Sequence, residues 1–160
     1  QIDRLRLLAS GPEVVAIGEA GLDTLAESPM DLQKEVFLAQ AYLAEETHKP
    51  LIIHCVKAWA DLIACKKAVK PEMSWIIHGF RGNGELASQL VRLGFYLSFG
   101  DRFNPSALCA AWPDFLFLET DDKLIDIREV YQNVAQALDI PEEKLRIQIA
   151  ENISIFHLNG

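Results

Sequence analysis

The sequence predicts an α/β domain in which strands and helices alternate and the strands run parallel. Five short apolar runs, rich in β-branched or aromatic residues, occupy residues 14–17, 51–53, 74–77, 95–99 and 115–118. The runs are nearly continuous rather than alternating, which is typical of parallel strands covered on both faces. Successive runs begin 20 to 37 residues apart, and each interval leaves room for one crossover helix.

The segments between the runs carry helix signals. Ser28 and Pro29 predict an N-cap and a first-turn proline for a helix that ends before Lys49-Pro50. Its inner face is predicted from residues at helical spacing: Leu32, Val36, Ala39 and Leu43. Further helices are predicted over residues 57–69, from Asn83-Gly84 to a C′ glycine at Gly94, over residues 127–138, and from Pro141 through residues 145–156.

Composition and charge disfavour several classes of protein. The chain has 15 Lys and Arg against 23 Asp and Glu, a formal net charge of −8. A nucleic-acid coat protein or a membrane-surface helix is usually basic. No apolar run approaches the ~18 residues of a membrane span, so we expect no membrane partner. The three cysteines have neither disulfide-framework nor zinc-finger spacing, and they fit a reducing cytoplasm.

Four polar residues lie where predicted strands end. Glu19, His54, His78 and Asp121 each follow a different apolar run. The carboxyl ends of the strands share one face in a barrel of parallel strands, so these side chains are expected to converge there. Imidazole and carboxylate are the ligands of a hydrolytic divalent metal such as Zn or Mn. Such a cation lowers the pKa of its water and polarises a scissile phosphoryl or carbonyl oxygen.

Other residues are candidates for supporting roles near this face. Asp23 lies in an adjacent loop, and Glu119 shares the strand parity of Asp121. Positive charge for a substrate is expected from four residues: Lys57, Arg81, Arg102 and Lys123. Cys55 alternates with His54, so it should face the helix layer as a packing residue.

Motifs in the chain resemble those of the TatD family of metal-dependent hydrolases. Residues 16–23 (AIGEAGLD) resemble its GExGLD motif, and residues 50–55 (PLIIHC) resemble the strand that carries its first histidine motif. Residues 78–82 (HGFRG) resemble HxFsG, and residues 118–121 (LETD) resemble the start of lETDaP. The closing residues 151–156 (ENISIF) resemble the end of the family's pattern.

The resemblance implies a TIM-type (β/α)8 barrel of the metal-dependent hydrolase superfamily and a deoxyribonuclease or other phosphodiesterase activity. Glu19 would bridge two metals, His54 and His78 would complete one metal site, and Asp121 would bind the other metal and position or deprotonate water. Glu19 and Asp121 are therefore the candidate catalytic residues. The cofactor would be Zn, Mg or Mn, one or two ions per chain.

The chain departs from the family pattern in ways that carry expectations of their own. It contains no His-x-His pair, so we expect one metal to bind well, at Glu19, His54 and His78, and a second to bind poorly. We also expect residues 1–160 to form a single barrel domain that lacks its first one or two βα units, because such barrels typically run to ~250 residues. Exposed strand edges would then favour self-association or a partner chain.

Three functions remain open from the sequence. The first is a nuclease acting on DNA or a small phosphodiester, and the acidic balance favours short oligonucleotide ends over extended duplex. The second is a related barrel hydrolase acting on another ester or an amide with the same metals. The third is a catalytically silent barrel used for binding.

Overall fold

The computed structural model describes residues 2–156, and it divides into two compact units, residues 1–75 and 76–160. None of the helices in the described range is long and apolar enough to cross a membrane. In chain order the elements are α1 (Ile2–Ala9), β1 (Ile17–Asp23), α2 (Met30–Thr47), β2 (Leu51–Val56), α3 (Trp59–Val69), β3 (Trp75–Ile77), α4 (Gly84–Arg92), β4 (Phe95–Phe99), α5 (Pro105–Ala111), β5 (Leu116–Leu118), α6 (Ile127–Leu138) and α7 (Glu142–Asn152), followed by a 3-10 turn over Ile153–Phe156.

In the first unit β1 and β2 pair in parallel, but β1 lies later in the chain than the sequence predicted. Pairing begins where Ile17 lies opposite Leu51, while Val15 is 44% exposed, so the predicted strand at 14–17 is wrong. Gly18 brings the two strands close together, because a Cβ there would lie 2.7 Å from the carbonyl oxygen of Ile52. Glu19 therefore lies within β1 instead of following it. His54 likewise lies within β2, because that strand continues to Val56 beyond the predicted end at residue 53.

Helix α2 buries a face that agrees with the predicted one only at Leu43. Leu32 and Val36 are 51% and 47% exposed, and the buried residues are Phe37, Ala41, Leu43 and Ala44. The Phe37 ring packs edge-on against Trp75 with the ring centroids 5.3 Å apart, and this contact fixes the rotation of the helix. Pro29 is the N-cap and makes no side-chain capping bond, so the predicted cap at Ser28 is also wrong.

In the second unit β4 and β5 pair in parallel, with Leu97 opposite Leu116. Asn83 caps α4 by accepting a hydrogen bond from the Leu86 N–H at 2.9 Å, as its sequence predicted. Gly94 follows that helix with φ of 78°, a left-handed conformation that favours glycine. The predicted helix over 127–138 is confirmed as α6, and the last predicted helix is confirmed as α7.

Two short helices were not predicted. The first is α1, and the second is α5, which begins after Asn104. The Asn104 side chain accepts a hydrogen bond from the Ser106 N–H at 3.0 Å, and Pro105 occupies the first turn. Both are standard helix-start signals, so α5 was readable from the sequence.

The buried face of α2 can be tested by truncation. We expect Phe37→Ala to lower the free energy of unfolding by about 3–5 kcal/mol, because it leaves a cavity against Trp75. The matched variant Val36→Ala removes apolar atoms from an exposed position and should cost less than about 0.5 kcal/mol. Urea titration followed by circular dichroism measures both, and equal losses would contradict the observed orientation of the helix.

Candidate metal centre

The first unit brings three of the predicted site residues together. Gly21 of β1 lies opposite His54 of β2, and its lack of a side chain leaves space beside the imidazole. A carboxylate oxygen of Glu19 and a ring nitrogen of His54 lie within 4.8 Å of each other. On the other side, Nε2 of His54 is 3.8 Å from Oδ2 of Asp23. Glu19, His54 and Asp23 therefore form one polar cluster.

Asp23 is held in place by a residue that the sequence analysis did not identify. The Gln33 side chain accepts from the Asp23 N–H at 2.8 Å and donates to the Asp23 carbonyl at 3.0 Å. Its amide also donates to the carbonyl of Ser28 at 2.7 Å, and Asp23 Oδ1 accepts from the Leu25 N–H at 2.7 Å. Gln33 thus fixes the loop from β1 to α2. A polar residue in the first turn of the helix after this loop was the available signal.

The second unit positions His78 beside Glu119. His78 directly follows β3, as predicted, and its Nδ1 lies 3.6 Å from Oε1 of Glu119. The same oxygen accepts a hydrogen bond from the Gly79 N–H at 2.7 Å. The other carboxylate oxygen accepts a hydrogen bond from the hydroxyl of Ser98. Ser98 was missed by the sequence analysis, although a serine in an otherwise aromatic and aliphatic strand marks it.

His78, Glu119 and Asp121 form a group with the chemistry of a metal site. Each offers one nitrogen or carboxylate oxygen, and these three atoms all lie within 4.8 Å of one another. Ligands bound to one zinc ion at about 2.0–2.2 Å are at most about 4.4 Å apart. Asp121 is exposed and sits in a turn with φ of 51°, so its carboxylate is accessible from solvent. A divalent cation fits this donor set.

The predicted basic residues divide between the two units. Lys57 is exposed in the first unit, with φ of 52°, and it precedes α3, so its predicted place inside the helix is wrong. Ala58 is the N-cap there, and the left-handed backbone at Lys57 ends the strand segment. In the second unit one small cavity of about 20 Å³ is lined by charged side chains together with glycines and Thr120: Arg81, Arg102, Lys123, Asp101, Glu119 and Asp121.

Cys55 lies next to His54 on β2, yet it is chemically quiet. Burial raises the pKa of the Cys55 thiol to about 12, against the opposing effect of the Ala58 backbone N–H. The thiol is therefore protonated at neutral pH, and a protonated thiol is a poor nucleophile and a poor metal ligand. His48, the other histidine of the first unit, is exposed at the C-terminal end of α2.

The sequence of the chain is similar to those of known proteins. A sequence model described as TatD related DNase matches residues 1–157. The chain belongs to the TatD related DNase family. It is 39% identical over 126 residues to the metal-dependent hydrolase YabD of Bacillus subtilis, covering 73% of this chain and 49% of that protein. It is 38% identical over 92 residues to the 3'-5' ssDNA/RNA exonuclease TatD of Pantoea vagans, covering 56% and 35%. The chain thus spans half or less of these curated relatives.

Solved structures show that the chain has the fold of this family. YjjV, a TatD homologue from Escherichia coli, superposes with a TM-score of 0.87 at 21% identity, covering 97% of this chain and 69% of that one. A TatD family hydrolase from Entamoeba histolytica gives 0.80 at 20% identity, covering 96% and 67%. The predicted fold class, a TIM-type barrel of the metal-dependent hydrolase superfamily, is confirmed. The expectation that residues 1–160 form a single domain stays a prediction.

The inertness of Cys55 can be measured by alkylation. We expect iodoacetamide at pH 8 to modify the exposed Cys109 at least about a hundredfold faster than Cys55, because the half-buried Cys55 thiol holds its proton. Mass spectrometry of tryptic peptides quantifies both sites. In urea the two cysteines should react at similar rates, which is the control. Rapid alkylation of Cys55 in the native protein would contradict the assignment.

Proposed function

We propose that this protein is a divalent-metal-dependent hydrolase that cleaves phosphodiester bonds, with DNA or another nucleic acid as its substrate. The observation that carries the proposal is the cluster of His78, Glu119 and Asp121 within 4.8 Å in a TatD family chain. Nitrogen and carboxylate donors at strand ends are the donor set for metal-assisted hydrolysis. The similarity to a metal-dependent hydrolase and to an ssDNA/RNA exonuclease supports the same chemistry.

We further propose that Glu19, His54, His78 and Asp121 hold the metal. The argument rests on the fold family, because the carboxyl ends of the strands share one face in a TIM-type barrel. Glu19 and His54 supply one carboxylate and one imidazole that already lie close together. His78 adds the second imidazole, and two imidazoles with one carboxylate are sufficient for a catalytic zinc. One tightly bound ion is therefore proposed, with a weaker second site at Asp121. Zn, Mg and Mn are the candidate ions.

Glu119 is proposed to position His78 beside the metal. Both of its oxygens are already engaged, one by the Gly79 N–H and the other by the Ser98 hydroxyl. Its Oε1 faces Nδ1 of His78 at 3.6 Å, an arrangement that orients an imidazole so that Nε2 is its ligand atom. Asp23 is proposed to orient His54 through the opposite ring nitrogen, since its Oδ2 lies 3.8 Å from Nε2 of His54 and leaves Nδ1 as the ligand atom.

The proposed reaction is attack of water on the phosphorus of the phosphodiester. A P–O bond forms to the water oxygen, the P–O bond to one sugar oxygen breaks, and that oxygen takes up a proton from solvent and leaves as an alcohol. A divalent ion bound at the site supplies Lewis-acid polarisation of the phosphoryl oxygen and a lowered pKa for water. Asp121 accepts the proton of the attacking water at a carboxylate oxygen, and its exposure leaves it accessible to that water. Glu119 and Gly79 keep the neighbouring imidazole of His78 fixed, so that the site keeps its geometry during turnover.

The net charge of −8 favours short single-stranded ends over long duplex, since duplex binding depends on many Lys and Arg contacts to phosphates.

A reducing compartment, the cytoplasm, is proposed because Cys55, Cys65 and Cys109 are all free thiols.

The proposal is tested with two variants that each remove one carboxylate charge, the first at Asp121 and the second at the adjacent Asp122. We expect Asp121→Asn to reduce Mn-stimulated hydrolysis of a single-stranded oligonucleotide at least about a hundredfold, because the amide cannot accept the proton. Asp122→Asn makes the same change one residue away, at an exposed position, and should stay within about threefold of the wild type. The rate of product formation on denaturing gels measures both variants.

The same assay separates the alternative functions. Hydrolysis of bis-nitrophenyl phosphate supports the nuclease, whereas turnover of lactones or amides alone would replace it with another barrel hydrolase. Equal rates for Asp121→Asn and the wild type would contradict the site. No metal-stimulated turnover of any of these substrates would leave a binding barrel as the function.

A further inference from the structure

The cavity beside Asp121 carries an unusual balance of charge. Three cations line it, Arg81, Arg102 and Lys123, together with three carboxylates, two of which belong to Glu119 and Asp121. All of these residues lie in the second unit. The positive and negative charges therefore cancel in the protein by itself, although the chain as a whole is strongly acidic.

The three cations are not committed to strong interactions within the protein. Arg102 lies 3.9 Å from Asp101 and its side chain is 74% exposed. Lys123 lies 3.5 Å from Asp122 and is 43% exposed. Such exposed pairs contribute little to stability, so both cations can turn towards a ligand. Arg81 is exposed at the same rim.

From these observations we propose that Arg81, Arg102 and Lys123 form a recognition site for a terminal phosphate monoester of the substrate, next to the scissile bond. This inference rests on the proposed function and names the substrate class, a short oligonucleotide that ends in a phosphate. The terminal phosphate is bound and is not itself cleaved.

The charge count distinguishes a terminal phosphate from an internal one. A divalent ion at the weaker site proposed beside Asp121 would add two positive charges to this lining, whose own charges cancel. A phosphate monoester carries about −1.5 to −2 at pH 7, whereas an internal phosphodiester carries a single negative charge. The monoester therefore matches the cavity more closely. Arginine is suited to this role because its planar guanidinium binds phosphate oxygens in pairs.

The size of the cavity agrees with this use. The cavity has a volume of about 20 Å³, which is room for one water-sized group such as a single phosphate oxygen. The rest of a phosphate and the first nucleotide would therefore lie outside it, at the rim. A base does not fit a cavity of this size.

Binding without turnover tests the inference. The probes are three thymidine trinucleotides with uncharged methylphosphonate linkages: one with a 5′-phosphate, one with a 3′-phosphate and one with free hydroxyls at both ends. We expect one phosphorylated probe to bind the zinc-loaded protein about tenfold more tightly than the hydroxyl probe in calorimetry at low salt. The probe that gains shows which end the site reads. In protein treated with chelator the gain should fall below about threefold, because the cavity charges then cancel.

Variants of the three cations show whether they cause the tighter binding of the phosphorylated probe. Arg81→Gln, Arg102→Gln and Lys123→Gln should each reduce the tenfold gain, and the triple variant should abolish it. Arg92→Gln removes the same charge from the last turn of α4, outside the cavity, and should keep the full gain. A gain that survives in the triple variant, or equal binding of all three probes by the wild type, would overturn the inference.

Product analysis separates this inference from the proposed function. If the wild type cleaves an unmodified trinucleotide but treats phosphorylated and hydroxyl ends alike, the nuclease stands and the terminal-phosphate site is wrong. If no oligonucleotide is cleaved, the proposed function fails, while the calorimetry still decides the binding site. Release of inorganic phosphate from the terminal group would show that the monoester is cleaved, and this also overturns the inference.

Discussion

The carboxylate of Glu119 joins the carboxyl ends of three strands in the second unit. One oxygen accepts a hydrogen bond from the Gly79 N–H, just after β3, and the other accepts one from Ser98 in β4. Glu119 itself follows β5. Hydrogen bonds to an ionised carboxylate are among the stronger ones in proteins. The side chain of Glu119 is also only 16% exposed. His78 directly precedes Gly79, and Asp121 lies two residues after Glu119. The hydrogen bonds of Glu119 therefore hold His78 and Asp121 close together.

This anchoring explains how one small region can serve two kinds of ligand. His78 and Asp121 face the proposed metal, while Glu119 and Asp121 also line the cavity with Arg81 and Arg102. Under the two proposals, the metal and the cations would act on the same substrate from adjacent positions. In this account the negative charge of the carboxylates is balanced first by the metal, and the remaining positive charge selects the phosphate.

Much of this organisation was readable in the sequence because it depends on local rules. The strand at 95–99 and the helix at 127–138 were predicted with the observed limits, and His78 was predicted to follow its strand directly. The rest depends on partners far away in the chain. The segment that forms β1 contains few β-branched residues and is a strand because its backbone pairs with β2. Helix α2 has two apolar faces, and contact with Trp75 decides which one is buried.

The candidate metal centre was likewise predictable from the sequence only in part. Its candidate ligands were visible because imidazoles and carboxylates at strand ends are uncommon without a reason. The residues that hold them, Ser98 and Gln33, left only weak signals in the sequence, because a serine and a glutamine acquire these roles through the hydrogen bonds that the fold creates. Likewise, Arg81 and Arg102 were identified as separate cations, and only the structure shows that they line one cavity.

The most direct test of the central claim is the metal content of the protein and of its histidine variants. After zinc loading and gel filtration, elemental analysis should find one tightly bound equivalent in the wild type. It should find less than about a tenth of an equivalent in His54→Ala and His78→Ala, because removing a ligand weakens such a site severely. His48→Asn, a change at an exposed histidine whose left-handed backbone asparagine tolerates, should retain the full equivalent. Two tight equivalents in the wild type, or unchanged zinc in His54→Ala, would contradict the account.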